Sequence, residues 1–238
     1  MKYSIIVPIY KEKNNISLLI TEITSILKNN KIIFEIILID DQSNDGSIEE
    51  YKKSKNKYTK FFIRNVKPKD LSKSVIFGIK KSSYQNIIVM DGDLQHSPKE
   101  LLKLINVYKK SNFDLVIGSR NFNNLNQSLS FIRSLSSKIL ITIFNILFNL
   151  KISDPMSGFF IIKKKIFKRC EKKLFNKGYK ILADIVLSNK NIKIKEVIIN
   201  FKRRKRDKSK MGMRVLIILL YFFINKFFLN LFKNKKML

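Results

Sequence analysis

From residue 2 to residue 118 the chain alternates between short runs of consecutive apolar residues and longer stretches whose apolar residues recur at helical spacing. Short unbroken apolar runs mark strands buried on both faces, and the 3.6-residue recurrence between them marks the helices that cover those faces. Lys2 to Ile9 reads as a strand, Ile16 to Leu27 as a helix, and Phe34 to Ile39 as a second strand ending in Asp40 and Asp41. Ser47 to about Lys55 then reads as a helix, Lys60 to Arg64 as a strand and Ser72 to Lys81 as a helix. Asn86 to Met90 is the next strand, Pro98 to Lys109 the next helix and Asp114 to Gly118 the next strand. This order implies βαβ units and an α/β fold with a largely parallel, doubly wound sheet over residues 1 to about 120.

Composition narrows the setting. A chain of 238 residues with 45% hydrophobic content can bury a core. The formal charge of +30 has three readings: a nucleic-acid surface, a face for anionic lipid, or lysine used as the default surface residue. Lysines are spread over nearly every segment without the Arg and aromatic clustering of a base-reading surface, so the third reading covers most of the charge and no nucleic-acid partner is expected. A single Cys170 excludes an internal disulfide and fits a reducing compartment. The apolar run after Met1 and Lys2 is too short for a signal-peptide core, which points to cytosolic chemistry.

The strand ends share a chemical theme. The run Ile87-Ile-Val-Met90 leads into Asp91, Gly92 and Asp93, with Gln95 two residues on. Ligands of open α/β sheets bind at the carboxyl ends of the strands, and hard oxygen donors there suit Mg²⁺ or Mn²⁺ bound to a diphosphate. With one Cys and one His in the chain, softer metal sites have few ligands to draw on. Taken alone, an Asp-x-Asp after a strand is most often a turn or the cap of the helix that begins near Pro98. Here the first strand also ends in Pro8, Tyr10 and Glu12, and the second in Asp40-Asp41-Gln42-Ser43-Asn44-Asp45-Gly46, so acidic groups converge on one edge. An acidic residue there can accept hydrogen bonds from a base or ribose, and Tyr10 offers an aromatic face.

Val7-Pro-Ile-Tyr-Lys-Glu12, Ile39-Asp-Asp-Gln-Ser-Asn-Asp-Gly-Ser47, Met90-Asp-Gly-Asp-Leu-Gln-His-Ser-Pro98, Gly118-Ser-Arg120, Asp154-Pro-Met-Ser-Gly-Phe159 and the basic stretch from Phe201 to Lys210 occur in this order. The series resembles the inverting family-2 glycosyltransferases, in the branch of the dolichol-phosphate mannose synthases and the bacterial polyprenyl-phosphate glycosyltransferases, over about residues 1 to 211. The resemblance implies a GT-A fold, a nucleotide-sugar donor and a dolichyl or polyprenyl phosphate acceptor, with GDP-mannose the favoured donor. By position it implies that Pro8, Tyr10, Glu12, Asp40 or Asp41, and Gly92 line the nucleoside-sugar site, and that Asp91, Asp93 and Gln95 hold the metal and diphosphate. It further implies that Arg120, Arg133 and Ser137 bind the acceptor phosphate, and that Arg204 and Lys210 bind the phosphates of donor and acceptor. Asp93, Arg120, Arg133 and Arg204 are then the catalytic group. The chain departs from the pattern at Lys11 (usually Asn), Gln42 (usually Gly), Asp207 (usually Gly) and Asp184 (usually Glu). These departures bear on the donor more than on the fold.

A polyprenyl phosphate oxygen is anionic at neutral pH, so attack needs no general base. The task is to bring two anions together, which explains a cationic cluster beside a metal. The lone His96, next to a helix start, is read as a loop or capping residue without a catalytic role.

Two apolar stretches suggest a membrane. Leu129 to Leu150 is interrupted by Arg133, Ser134, Ser136, Ser137 and Lys138, which suits a helix lying in an interface. Val215 to Phe232 is 18 residues, or about 27 Å of helix, just short of a hydrocarbon core. Its polar Asn225, Lys226 and Asn230 fall within an arc of about 140°, favouring an interfacial or partly inserted helix. The basic run Lys202 to Arg206, placed between the strand Ile192 to Phe201 and this stretch, reads as a juxtamembrane loop. The expected division is therefore a GT-A domain over 1–211 and a membrane-associated helix with a basic tail over 212–238, at the cytoplasmic face of a membrane, peripheral or anchored, with a membrane-protein partner left open. Two alternatives stay open: a GT-A enzyme with another donor, such as UDP-glucose or a UDP-amino sugar, or with a non-phosphate acceptor in cell-envelope glycan synthesis; and, more remotely, a non-enzymatic lipid- or nucleic-acid-binding protein.

Overall fold

A computed structural model describes residues 1–110, 112–120, 141–148, 150–175, 177–178, 180–189, 191–200, 221 and 226. Among the described residues seven strands form one sheet in the order β3-β2-β1-β4-β6-β5-β7. They are β1 Lys2–Ile9, β2 Ile33–Asp40, β3 Thr59–Ile63, β4 Asn86–Val89, β5 Leu115–Arg120, β6 Phe160–Lys163 and β7 Ile194–Ile199. The helices are α1 Lys13–Asn29, α2 Ser47–Ser54, α3 Leu71–Lys81, α4 Glu100–Lys110, a stretch α5 over residues 141–148, α6 Lys164–Cys170 and α7 Ile181–Ser188.

Successive side chains of a strand point to opposite faces, and β1 uses both. Ile5, Val7 and Ile9 pack with Ile16, Leu19 and Ile23 of α1 and Leu101, Leu104 and Ile105 of α4. Ile6 joins Val75 and Ile79 of α3, with Ile166 of α6 and Ile181, Leu182 and Ile185 of α7, in the core on the other face. Covering both faces with helices is why β1, β2 and β4 read as unbroken apolar runs rather than alternating ones.

β6 departs from the expected sheet. It runs antiparallel to both neighbours, with Phe160 opposite Val89 of β4 and Ile117 of β5. Its first residue therefore lies at the carboxyl ends of β4 and β5, and the segment just before it, residues 154–159, is carried to the ligand edge. A four-residue strand directly after a turn-rich motif has too little periodicity to be read as one. The helix foreseen over Leu129 to Leu150 is described over 141–148, and residue 150 lies beyond it. Its end is fixed by Asn145, whose side chain donates to Ile152 O (2.9 Å) and accepts from Ile152 N (3.2 Å). Phe144 and Phe148 turn inward against Ala183, while Ile143, Ile146 and Leu147 are exposed. Residues 121–140 and 201–220, and all of 212–238 except Tyr221 and Lys226, lie outside the described residues. Among the described residues no helix is long and apolar enough to cross a membrane.

Candidate active site

Because β1, β2 and β4 are parallel, their carboxyl ends meet at one edge of the sheet. Main-chain bonds knit the loops that follow: Asp41 N donates to Ile9 O (3.1 Å), and Lys11 N to Ser43 Oγ (2.9 Å). Gly92 lets the Asp91–Asp93 turn lie directly on the end of β1, since a Cβ there would stand 2.8 Å from Ile9 Cγ2 and 3.3 Å from Pro8 O. Pro8 and Ile9 thereby form the floor beneath the two carboxylates.

Asp91 sits between two groups brought from elsewhere. The His96 Nε2 is 3.5 Å from its Oδ2, and the His96 ring packs on Phe159. Gly158 lies against the other side, where a Cβ would be 2.2 Å from Oδ2 and 2.5 Å from Oδ1. The carboxylate remains 32% exposed. Asp93 is half-buried and its Oδ1 accepts from Gln95 N (3.1 Å), which closes the turn. His96 is a loop residue before α4, and it also borders Asp91, a neighbour that spacing along the chain did not reveal.

Arg120 ends β5 and points across the edge. Its Nε and Nη2 donate to the two oxygens of Asp154 at 2.6 and 2.8 Å, and its backbone N–H adds a third bond to Asp154 Oδ2 at 3.3 Å. Asp154 is wholly buried, whereas the Arg120 side chain is 22% exposed. Burial acts to lower the Arg120 pKa, but Asp154, and behind it Asp91, outweigh that and raise it, so the group is a permanent cation beside the acidic turn. Asp154 is itself fixed, its N–H donating to Glu196 Oε1 (3.3 Å), and Glu196 also receives Ser119 Oγ (2.6 Å) and Ser153 Oγ (2.8 Å). Ser157 Oγ donates to Gly118 O (2.7 Å), tying the 154–159 segment to β5.

Where β1 and β2 end, Tyr10 is half-buried and carries the Lys69 ammonium 4.5 Å from its ring centroid, with Lys69 also bonded to Gln42 O (2.7 Å). Glu12 is buried at the start of α1 and accepts from Asn15 Nδ2 (2.7 Å). Asp40 is buried and receives both the N–H (3.0 Å) and the hydroxyl of Ser43. Asp41 accepts from Arg64 Nη2 at its Oδ1 and from Asp70 N at its Oδ2, both at 2.6 Å. It holds the loop after β3. Lys11 and Gln42, two of the departures noted above, have φ of 57° and 58°. The left-handed region costs a side-chain-bearing residue roughly 1–2 kcal/mol, which is the physical reason Asn and Gly serve there.

The loop at Asp70 also reaches the segment before α7. Gly178 N donates to Asp70 Oδ2 (2.6 Å), and Ser72 donates through N and Oγ to Gly178 O (3.1 and 2.6 Å). Two residues on, burial lowers the Lys180 ammonium to about 8, against the opposing pull of Asp184 and Asp70. The edge thus assembles Pro8, Tyr10, Glu12, Asp40, Asp41, Asp91, Gly92, Asp93, Gln95 and Arg120. Arg133, Ser137, Arg204 and Lys210 lie outside the described residues.

Among the described residues no set of three or more His, Cys, Asp or Glu side chains could by itself hold a metal. Asp91 and Asp93 supply hard oxygen donors on an accessible turn, and Mg²⁺ or Mn²⁺ typically takes one or two carboxylates and completes its shell with water and substrate phosphate. The residues present fit that mode of binding.

A mostly parallel sheet with one reversed strand and acidic turns at its carboxyl edge is the architecture of the GT-A glycosyltransferases. Solved structures similar to it include mannosyl-3-phosphoglycerate synthase from Rubrobacter xylanophilus, with a TM-score of 0.71, 14% identity, and coverage of 100% of this chain and 76% of that one. Glucosyl-3-phosphoglycerate synthase from Mycobacterium tuberculosis, crystallised with Mn²⁺, UDP-glucose and phosphoglyceric acid, gives 0.67 at 15% identity over 87% of this chain and 72% of that one. At such identities the likeness is one of fold.

Residues 4–170 match Glycosyl transferase family 2, and the chain belongs to that family. It is a glycosyltransferase. Curated relatives are named dolichol-phosphate mannosyltransferase. That of Pyrococcus furiosus is 37% identical over 89% of this chain, which spans 59% of the relative's length. That of Saccharomyces cerevisiae is 30% identical over 91% of this chain and 84% of the relative.

Proposed function

We propose that the protein transfers a hexose, with inversion, from a nucleotide sugar to dolichyl or polyprenyl phosphate, and that GDP-mannose is the donor. The observation that carries this reading is the placement of Arg120, a cation clamped by Asp154, next to Asp91 at the same sheet edge. The names of the relatives point the same way.

Asp91 and Asp93 hold the divalent ion, Mg²⁺ or Mn²⁺, which when bound stabilises the charge building on the departing nucleoside diphosphate. Pro8 and Ile9 support the acidic turn from below, and Gly158 leaves room for the Asp91 carboxylate. Tyr10, Glu12 and the Asp40 loop border the nucleoside. Arg120 offers a fixed positive charge to an acceptor phosphate that would otherwise be repelled by the donor. The acceptor oxygen carries its charge already, so no side chain need remove a proton. Arg133, Ser137, Arg204 and Lys210 complete the phosphate contacts in this reading, at the membrane surface where the lipid is presented.

Membranes containing the protein are incubated with Mn²⁺ or Mg²⁺, a polyprenyl phosphate, and radiolabelled GDP-mannose or UDP-glucose in parallel, and label entering the organic phase is counted. Transfer from GDP-mannose that is lost in Asp93→Asn is the expected result. Transfer from UDP-glucose alone would replace the donor, and no transfer from either with nucleotide binding intact would overturn the acceptor class.

A further inference from the structure

Glu196 is the third residue of β7 and stands opposite Ile117 in the β5–β7 register. Its half-buried carboxylate accepts at Oε1 from Ser119 Oγ (2.6 Å), Ser153 N (3.0 Å) and Asp154 N (3.3 Å), and at Oε2 from Ser153 N (3.0 Å) and Ser153 Oγ (2.8 Å). Every one of these donors is a neutral hydroxyl or main-chain N–H, so the carboxylate is not held here as half of an ion pair. What the donors share is their place. Ser119 precedes Arg120 at the end of β5, and Ser153 precedes Asp154, the acid that receives the Arg120 fork.

The fork fixes the guanidinium against Asp154 but leaves open where Asp154 itself stands. Asp154 lies in a loop between α5 and β6, and its carbonyl accepts from Ser157 N (3.2 Å), a bond within its own turn. Among the described residues, and apart from Arg120, the loop is tied to its surroundings through Asn145 at Ile152, Ser157 at Gly118 O, and Glu196 at Ser153 and Asp154. The last of these is made at Asp154 itself.

We propose that Glu196 is a positioning residue for the acceptor: by fixing Ser153 and Asp154 against the end of β5 it sets where the Arg120 guanidinium stands, an assignment that rests on Arg120 meeting the acceptor phosphate as proposed above. Both carboxylate oxygens are in use, so Glu196→Gln keeps the volume but turns an NH₂ towards groups that are themselves donors. An N–H that loses its acceptor in a buried setting pays its desolvation, and the loop shifts to satisfy it. The acidic turn does not share this dependence. Its floor is Pro8 and Ile9, and Gly158 beside Asp91 follows Ser157, whose Oγ is bonded to Gly118 O. The donor and metal side therefore stays in place while the cation moves.

Transfer by the full chain in membranes is measured with polyprenyl phosphate varied at saturating nucleotide sugar, and then the reverse, for the parent, Glu196→Gln, Arg120→Lys and the double variant. The KM for polyprenyl phosphate should rise about tenfold in Glu196→Gln, the scale of one or two lost hydrogen bonds, with the donor KM and the half-activating Mn²⁺ concentration unchanged. A merely structural part would lower the amount of folded enzyme, which scales kcat and leaves both KM values alone, and that result would overturn the assignment. In the Arg120→Lys background the further loss from Glu196→Gln should shrink to within about twofold, and losses that multiply in full would mean that the two residues act apart. Should Glu196→Gln fail to fold, Ser153→Ala, at an exposed position, removes the 2.8 Å bond to Oε2 and should raise the same KM to a smaller extent, an unchanged value counting against the assignment. No transfer to polyprenyl phosphate by the parent would overturn the acceptor reading, and this assignment with it, before any variant is compared.

Discussion

Two buried arginine–aspartate pairs flank the ligand edge, and they differ in what they leave open. Arg64 and Asp41 are 4% and 7% exposed, and Arg64 spends its donors on Ser74 Oγ, Val66 O, Pro68 O and Asp41. Every contact is internal, and its product is the shape of the loop between β3 and α3. Arg120 and Asp154 are 22% and 0% exposed, so the acid is enclosed while the base looks onto the acidic turn. The same ion pair thus serves as a brace in one place and as a mount for a working cation in the other. Asp41, whose two oxygens accept from Arg64 Nη2 and Asp70 N, shares with Asp154 the task of directing an arginine.

The contrast can be broken most sharply at Arg120. Arg120→Lys keeps the charge but loses the planar fork, and transfer should fall about 10²–10³-fold while the denaturant midpoint stays near that of the parent. Equal loss of folding would mean that Arg120 is a brace as well. Gly158→Ala probes the other side of Asp91. A methyl inside the contact distance of its carboxylate must displace it, and a shift of roughly 1 Å at a reacting group costs about 10²-fold, to be read as kcat together with the Mn²⁺ concentration giving half activity. Normal metal dependence in that variant would detach Asp91 from the metal.

Arg64→Lys should show the converse pattern. Losing the bonds to Val66, Pro68 and Ser74 should lower unfolding free energy by about 2 kcal/mol, with activity per folded molecule little changed. A specific loss of nucleotide affinity would instead place Asp41 at the base. The smallest effect lies at the opposite edge of the sheet, where burial pushes the Glu35 carboxyl up but Lys60, Ser4 and Ser83 together bring it below the usual range. The unfolded chain then binds this proton at higher pH than the folded one. Glu35 therefore adds stability that is present above the ordinary glutamate range and is lost as pH falls through and below it. Glu35→Gln should flatten that part of the acid unfolding curve and leave transfer at neutral pH unchanged, and an unchanged acid slope would show that Glu35 contributes nothing to it.

What the sequence made legible follows from the range of the signal. The first five strands and four helices are each coded locally, by apolar runs and helical spacing, and their ends move by only a few residues in the structure. The acidic turns were legible because they sit directly on strand ends. Partnerships that join distant segments were not: Asp41 with Arg64, Arg120 with Asp154, and Gly158 with Asp91 depend on which strands become neighbours. β6 is the clearest case, for four residues carry no period, and only its antiparallel placement explains why the 154–159 motif meets residues more than thirty positions earlier. His96 was read as a loop or capping residue, and its contact with Phe159 stayed hidden for the same reason, since it is made by the sheet and not by the local chain.

The position of β6 also sets an order of events during synthesis. β5 leaves the ribosome before β6, yet β4, which leads into the acidic turn, and β5, which ends in Arg120, have no shared neighbour until residues 160–163 arrive to lie between them. Four strands can settle early from contacts close in the sequence, with β4 left as an open edge. The insertion that closes this edge is the same event that delivers Asp154 to Arg120 and Gly158 to Asp91. A nascent chain stopped short of it holds half a sheet and the acidic turn, but neither the Asp154 that fixes Arg120 nor the Gly158 that borders Asp91, so completion of the fold and completion of the site coincide in time.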